Sequence, residues 1–424
     1  MKTELSNSEN SLDEKNVFSF QLRNVLIILS GFAIFLMFLV PQITGLKIAE
    51  VSSFYAEDSH CVEVTVLTKI HCFGDFGYAI EIVRSGKSVW NNDFSNPYPP
   101  LNFQLYLFFS YIAWKIGYLF SLVLYLISLI AAMTIPFLHA LKKEKPAQKI
   151  LVISTCVFAS LPFLIVLDRG NNNVWSLPFI YFFIAARYDK IPKRFDFVFA
   201  ALAIAFRPQN LILIAIFYSN REFRKIVKTL SLSCLLSILS FIAWDFSNTF
   251  SNMKDQISQI IRYSSGIPGI WPPSLSFSRG LKTITEIFNV GASDWVLKNL
   301  GYAIGAILIM KLLILKNKYQ DSQILILTLP LIFLLPALSW YYYASILLVI
   351  LATTFLLGTT LEEVGLGSKK RGYLFLTAMV VTMSPICLPI WEGQYNVIQV
   401  FVPIIWILTY LAFLIGWQKK IDEK

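Results

Sequence analysis

About a dozen long apolar stretches run through this chain, and they constrain its fold more than any other feature. A helix needs about 20 apolar residues to cross the roughly 30 Å hydrocarbon core of a bilayer. Most of the stretches approach or reach that length, and they occupy residues 24–45, 116–141, 150–167, 174–186, 195–206, 209–218, 226–247, 297–315, 323–339, 341–358, 372–391 and 397–417. The pattern predicts an all-α polytopic membrane protein.

The composition agrees with a membrane location. Hydrophobic residues make up 56% of the chain and charged residues 15%, whereas soluble domains average about 45–50% and about 25%. These values exclude a soluble enzyme, a small disulfide scaffold and a disordered chain. Residues 1–23 are too charged and too long for a signal peptide, and we expect them to be a cytoplasmic tail from the distribution of basic residues described next. Residues 24–417 then form one membrane domain, and residues 418–424 a second cytoplasmic tail.

The net charge of +10 is interpreted as a topology signal rather than a nucleic-acid surface. Lys and Arg cluster in short connectors, namely 142–149, 187–194, 221–228, 369–371 and 419–424. The two long loops, residues 46–98 and 249–296, hold only four Lys or Arg each. By the positive-inside rule the connectors are cytoplasmic and the long loops are extracytoplasmic. Both termini then face the cytoplasm.

This topology predicts two segments that do not cross the membrane alone. Pro99 and Pro100 suit the start of a helix over residues 99–115, in which Asn102, Tyr106 and Ser110 share one stripe, as in a helix that lies along the interface. Residues 195–218 begin and end beside basic clusters and contain Arg207-Pro208 in the middle. We interpret them as a re-entrant pair of short helices with Arg207 at the tip; the alternative is a single kinked span.

The polar residues that are the best candidates for catalysis or binding lie on the predicted outer side. Asp75 begins an amphipathic segment that has Phe76, Ala79, Ile80 and Val83 on one face. Asp75 can be a helix N-cap or a general base for an acceptor hydroxyl, and the sequence leaves both interpretations open.

Three further residues are candidates for substrate binding. A guanidinium such as that of Arg207 suits phosphate oxygens, although an Arg at a helix end can also extend its charge towards water. Arg169 can bind substrate or pair with the adjacent Asp168, and Asn171 can bind substrate or form a turn.

Cys61 and Cys72 share the first outer loop, where a disulfide is favoured over a metal site. The sequence has no strong metal motif, and we expect no metal or other cofactor.

Several short motifs occur together in a recognisable order. They are Gly-Asp75-Phe-Gly-Tyr78, a Gly86, the run Pro97-Tyr98-Pro99-Pro100-Leu101, Arg169-Gly170-Asn171, Arg207-Pro208 and Ser339-Trp340. This order resembles the polyprenyl-phosphate-sugar-dependent glycosyltransferases of the GT-C superfamily, family 87, which includes bacterial phosphatidylinositol-mannoside mannosyltransferases. The resemblance covers residues about 20–350. That family often has a His two residues after the Trp of the late motif, where this chain has Tyr342.

The resemblance implies a GT-C-like bundle of about 12 membrane segments, including short re-entrant helices. It also implies an inverting, mannosyltransferase-like enzyme that transfers a hexose or pentose from a polyprenyl-phosphate donor to a glycolipid or polysaccharide acceptor. Asp75 would be the general base, and the expected substrate-binding residues are Arg207, Arg169, Asn171, Tyr78, Tyr98, Trp340 and Tyr342. The site would face outwards from a bacterial plasma membrane. The alternatives are a flippase or transporter of lipid-linked sugars and an outer-face polysaccharide polymerase or ligase.

Overall fold

The fold is taken from a computed structural model that describes residues 99–244, 247–265, 275–315, 321–335, 341–384, 389–390 and 395–422. It also describes residues 25, 28, 31, 35, 39, 42, 43, 73, 76, 77, 79, 80 and 83.

Helices form nearly every element of these described residues. In chain order the α-helices are α1 (Pro100–Lys115), α2 (Tyr118–Ala140), α3 (Pro146–Ile153), α4 (Leu161–Arg169), α5 (Leu177–Arg187), α6 (Asp196–Phe206), α7 (Ile214–Ser219), α8 (Phe223–Trp244), α9 (Thr249–Ser265), α10 (Phe277–Ile287), α11 (Asp294–Leu315), α12 (Asp321–Thr328), α13 (Leu331–Leu334), α14 (Ile346–Leu357), α15 (Leu361–Val364), α16 (Lys369–Met383) and α17 (Val397–Asp422). The 3-10 helices are Asn172–Ser176, Lys193–Phe195, Pro208–Leu213 and Tyr341–Ser345, and Ser154–Phe158 is a π-helical turn. The strands β1 (Pro389–Ile390) and β2 (Tyr395–Asn396) form one short antiparallel pair.

The helices confirm the helical interpretation of the apolar stretches. Each stretch predicted between residues 116 and 417 contains at least one helix. Two helices, Tyr118–Ala140 and Phe223–Ala243, are long and apolar enough to cross a membrane. A third candidate span is bent by 70° between Pro146–Phe158 and Leu161–Leu167. The π-helical turn precedes this bend and Pro162 follows it, which are two known causes of a sharp kink.

The chain divides into two compact units. The terminal unit comprises Met1–Ser52, Pro136–Leu164 and Pro272–Lys424, and the central unit comprises Ser53–Ile135 and Ile165–Trp271. Helices α2 and α4 each contribute residues to both units.

Helix α6 is the centre of packing in the central unit. It packs against α1, α5 and α8. Its Ala200, Ala201, Ala203 and Ala205 are all buried, and such small side chains let helix backbones approach closely in membranes. At its C-terminal end, Phe206 stacks on Phe179 of α5 with ring centroids 5.5 Å apart.

Helix α1 has its polar face turned inwards. Asn102, Tyr106 and Ser110 are buried, which confirms that they share a stripe, but the stripe faces the interior of the central unit rather than water. The opposite face exposes Phe108 and Trp114. A helix with this arrangement suits an apolar solvent, because lipid accepts the outward side chains while the protein satisfies the inward polar groups.

The second predicted outer loop is largely helical where it is described. Helices α9 and α10 lie within residues 249–296, and α11 begins there. In α9, Asn252 and Gln256 are buried, whereas Phe250 and Ile257 are exposed. Helix α9 therefore repeats the inward polar face of α1.

The terminal unit packs its helices around aromatic and aliphatic side chains. The consecutive residues Ile346–Thr354 of α14 are all buried, as expected of a helix that is apolar on every side. Trp406 of α17 is buried and donates from Nε1 to Thr382 Oγ1 at 2.9 Å. Gly280 allows α10 to approach α17, since a Cβ there would lie 2.9 Å from Pro403 Cβ.

Candidate functional site

A broken helix positions Arg207 inside the central unit. Helix α6 ends at Phe206, Arg207 is extended with φ −156° and ψ 105°, and a new helical segment begins at Pro208. A residue before proline is driven out of the helical region by the proline ring, so the dipeptide itself accounts for the break. The Arg207 side chain is 5% exposed. The predicted interruption at Arg207 is confirmed.

Two asparagine side chains satisfy carbonyl groups at the end of α6. Asn102 Nδ2 donates to Phe206 O at 3.0 Å, and Asn210 Nδ2 donates to Ala203 O at 2.8 Å. The last carbonyls of any helix lack partners within the helix. Here the Asn102 amide supplies a partner for Phe206 O, and the Asn210 amide adds a second bond to Ala203 O, which also accepts from the backbone N–H of Arg207 at 3.0 Å. Side chains from two sides therefore hold the backbone around Arg207.

The buried stripe of α1 connects this break to the turn that follows α4. One helical turn beyond Asn102, the Tyr106 hydroxyl lies 3.2 Å from the Tyr125 hydroxyl. Tyr125 in turn donates to the carbonyl oxygen of Gly170 at 2.6 Å. Four residues of α-helix span about 6 Å, so α1 bonds to the Arg207 break directly and to the Gly170 turn through Tyr125, within a short distance along its axis.

The turn at Gly170–Asn173 is built by its own side chains. Gly170 has φ +61°, a conformation that glycine adopts without steric cost. Asn171 Oδ1 accepts from the backbone N–H of Asn173 at 3.0 Å and from Asn173 Nδ2 at 2.5 Å. These bonds support the interpretation of Asn171 as a turn former.

Asn172 is different from its two neighbours. Its side chain is buried, and in the described part of the chain neither Oδ1 nor Nδ2 has a hydrogen-bond partner. The sequence shows three consecutive asparagines and gives no sign of which one is left unsatisfied.

The segment that contains Asp75 packs beside the Gly170 turn. Phe76, Ala79 and Ile80 are helical and buried, which confirms the predicted apolar face at these positions. The Phe76 ring lies 4.4 Å from the Tyr125 ring, between centroids. A Cβ on Gly170 would be 3.1 Å from Phe76 Cβ, so glycine allows this approach without a shift of Phe76. Asp75 itself lies outside the described residues.

The other predicted site residues divide into two groups. Tyr78, Tyr98, Cys61, Cys72 and Trp340 lie outside the described residues. For Arg169 and Tyr342 only the backbone is described, Arg169 at the end of α4 and Tyr342 in the 3-10 helix Tyr341–Ser345. By sequence position, Trp340 and Tyr342 belong to the terminal unit, whereas the remaining site residues belong to the central unit.

A second buried polar cluster, which sequence reasoning missed, lies at the other end of α6. Arg187 Nη1 is 2.5 Å from Glu222 Oε2 and 3.3 Å from Asp196 Oδ2. Lys225 Nζ is 2.5 Å from the same Asp196 oxygen. These ion pairs join α5, α6 and the start of α8. Residues that the sequence presented as basic connectors therefore also act as internal cross-links.

The described residues contain no group of three or more His, Cys, Asp or Glu side chains that could hold a metal ion. No protein-family model, no curated protein and no solved structure matches this chain.

Proposed function

We propose that the chain is a glycosyltransferase of the outer membrane face, which moves a hexose or pentose from a polyprenyl-phosphate donor to a glycolipid or polysaccharide acceptor. The observation that carries the proposal is the buried Arg207 at a helix break that is held by Asn102 and Asn210. Irregular backbone at membrane depth is tolerated only inside protein or beside a cavity. A charged side chain in such a place is a functional candidate by default.

The proposal includes a finer topology. The chain would form a GT-C-like bundle of about 12 membrane segments in a bacterial plasma membrane, with residues 195–218 as a re-entrant pair. The loops 46–98 and 249–296 would then be extracytoplasmic. The two helices of spanning length, the bent third candidate and the inward polar face of α1 support this arrangement.

Arg207 is the proposed partner of the donor phosphate. A guanidinium group can hold two phosphate oxygens at once, and burial strengthens such a charge-assisted contact because water no longer screens it. Arg169 is proposed as a second contact, because it precedes the Gly170 turn, which α1 links to the Arg207 break.

Asp75 is the proposed general base. Its neighbour Phe76 is fixed against Tyr125 and Gly170, so the segment that carries the carboxylate is anchored to the same part of the central unit. In the reaction, Asp75 takes the proton of the acceptor hydroxyl while that oxygen attacks the anomeric carbon. The bond between the anomeric carbon and the phosphate oxygen breaks, and polyprenyl phosphate leaves with the electron pair. A single displacement inverts the anomeric configuration, and cationic side chains stabilise the leaving phosphate.

Mass spectrometry of membrane glycolipids tests the proposal directly. Cells that express the wild-type chain should contain a glycolipid with one more sugar residue than cells without the gene. Asp75→Asn should lower the amount formed per unit time by about 10²–10⁴-fold, because general-base catalysis contributes that much. Asp93→Asn, in the same loop, is the matched control and should leave the product unchanged.

Arg207→Lys separates donor binding from chemistry. It keeps the positive charge and loses the two-pronged geometry, so it should weaken use of the donor, whereas Asp75→Asn should still bind the donor. Identical glycolipids with and without the gene, or normal product from Asp75→Asn, would overturn the proposal.

A further inference from the structure

Three buried asparagines in the central unit carry polar atoms that have no partner among the described residues. They are Asn102, Asn172 and Asn210, and together we call them the asparagine set. In the described part of the chain, Oδ1 of each one has no hydrogen-bond partner, and for Asn172 this also holds for Nδ2. Their exposed fractions are 1%, 1% and 0%. Native proteins satisfy nearly all buried polar groups, so unsatisfied ones call for an explanation.

Two members of the set have a fixed orientation. Asn102 and Asn210 each donate Nδ2 to a carbonyl of α6, at 3.0 Å and 2.8 Å. Turning either amide over would place its oxygen against a carbonyl oxygen, so the nitrogen assignment follows from the partners. Their Oδ1 atoms are therefore preset acceptors, whereas Asn172 offers both a donor and an acceptor.

The three residues lie on elements that all pack against α6. Asn102 and Asn210 are hydrogen-bonded to the last turn of α6. Asn172 begins the 3-10 helix Asn172–Ser176, which packs against α6. Just beyond that 3-10 helix, Phe179 stacks on Phe206. Two members of the set therefore bond to the backbone beside Arg207, and the third lies on an element that packs against the same helix.

The chemistry of the set suits hydroxyl groups. A sugar hydroxyl can donate to Oδ1 and accept from Nδ2, so hydroxyl groups match the hydrogen-bonding capacity of these atoms. A phosphate dianion only accepts hydrogen bonds, and the preset acceptors of Asn102 and Asn210 would repel it. Arg207 and the asparagine set therefore suit two different parts of one sugar phosphate.

We propose that the asparagine set is a recognition site for sugar-ring hydroxyls, with Asn172 as the residue that determines specificity. The inference rests on the proposed glycosyl transfer, and the hydroxyls can belong to the donor sugar or to the acceptor sugar. Asn171 has a separate, structural role, because its Oδ1 already binds Asn173.

The Asn172→Leu variant, in purified chain, tests the inference through two readouts. Leucine has the branched shape and heavy-atom count of asparagine and removes a buried amide without a hydrogen-bond partner among the described residues, so the unfolding midpoint should stay the same or rise. Asn171→Leu is the matched control; it removes a turn bond and should lower the midpoint. A lower midpoint for Asn172→Leu would mean that Asn172 is structural and would overturn the proposal.

Binding is measured with three kinds of probe: farnesyl phosphate, farnesyl phosphates that carry mannose, glucose or arabinose, and octyl glycosides of the same sugars. The wild-type chain should bind at least one sugar-bearing probe, and Asn172→Leu should weaken that binding by roughly 3–10-fold per lost hydrogen bond. Farnesyl phosphate itself should bind both proteins equally.

The pattern of loss identifies the source of the hydroxyls. If Asn172→Leu weakens binding of the sugar-bearing farnesyl phosphates only, the asparagine set binds the donor sugar. If it weakens binding of the octyl glycosides only, the set binds the acceptor sugar. Equal binding of all sugar probes by wild type and Asn172→Leu, or no binding of any sugar probe by wild type, would overturn the inference. Failure of the proposed transferase function would show separately, as a chain that binds glycosides through Asn172 but neither binds farnesyl phosphate nor forms product.

Discussion

Replacing Asp196 with Ala tests how the central unit holds its short helices together. The Asp196 carboxylate is fully buried and accepts from Arg187 and Lys225. Its Oδ1 also accepts from the backbone N–H of Phe197 at 2.7 Å. Removing one member of a buried ion pair costs about 3–5 kcal/mol, because the opposite charge stays behind. Glu222 remains 2.5 Å from Arg187 and 3.5 Å from Lys225, so we expect a loss at the lower end, about 3 kcal/mol.

A loss of this size lowers the folding equilibrium constant roughly 10²-fold. Equilibrium unfolding in mixed micelles, followed by circular dichroism at rising mole fraction of dodecyl sulfate, measures it. Glu144→Ala is the control, because Glu144 is an exposed carboxylate in another basic connector, and surface changes of this kind stay within about 0.5 kcal/mol. A loss below about 1 kcal/mol for Asp196→Ala would refute the reasoning, since exposed ion pairs already reach that value.

Two further predictions concern packing and topology. Gly372→Ala should lower the free energy of unfolding, measured in the same assay, by roughly 1–3 kcal/mol or more, the range typical of overpacking. The reason is that its Cβ would lie 2.0 Å from the carbonyl oxygen of Leu361. Gly291→Ala, where a Cβ meets open space, should leave the midpoint unchanged, and equal shifts in both variants would contradict the packing argument. Cysteines placed at Lys87 and Lys370, in a chain without its five native cysteines, should react differently with a membrane-impermeant reagent in intact cells. Labelling of both positions would exclude the predicted topology.

The features that could be predicted from the sequence depend on local chemistry. Apolar stretches gave helices because any helix in lipid satisfies its own backbone groups. The break at Arg207 follows from Pro208 alone, and the stripe of Asn102, Tyr106 and Ser110 follows from helical periodicity. Each of these inferences needs only residues a few positions apart.

The features that could not be predicted depend on contacts between distant segments. Nothing in the run Asn171-Asn172-Asn173 shows that the first amide closes the turn while the second has no partner in the described part of the chain. That outcome depends on which way each side chain points. The same is true of Asp196 and Arg187, which look like ordinary charges in a basic connector. The sequence also did not show that the polar stripe of α1 is buried. Helical periodicity shows which residues share a face, but it does not show which part of the protein that face contacts.

The inward polar face of α1 has a consequence for the order of events during synthesis. Asn102 donates to a carbonyl 104 residues later in the chain, and Gln104 donates to Ser240 O, 136 residues later. At about 5–20 residues per second, the ribosome needs roughly 7–27 s to reach Ser240 after Gln104. During that interval the carbonyl groups that accept from Asn102 and Gln104 are not all synthesised yet. An amide without a hydrogen-bond partner in hydrocarbon is costly. In the proposed membrane topology, we therefore expect α1 to stay near water or near the insertion machinery until α8 has been made.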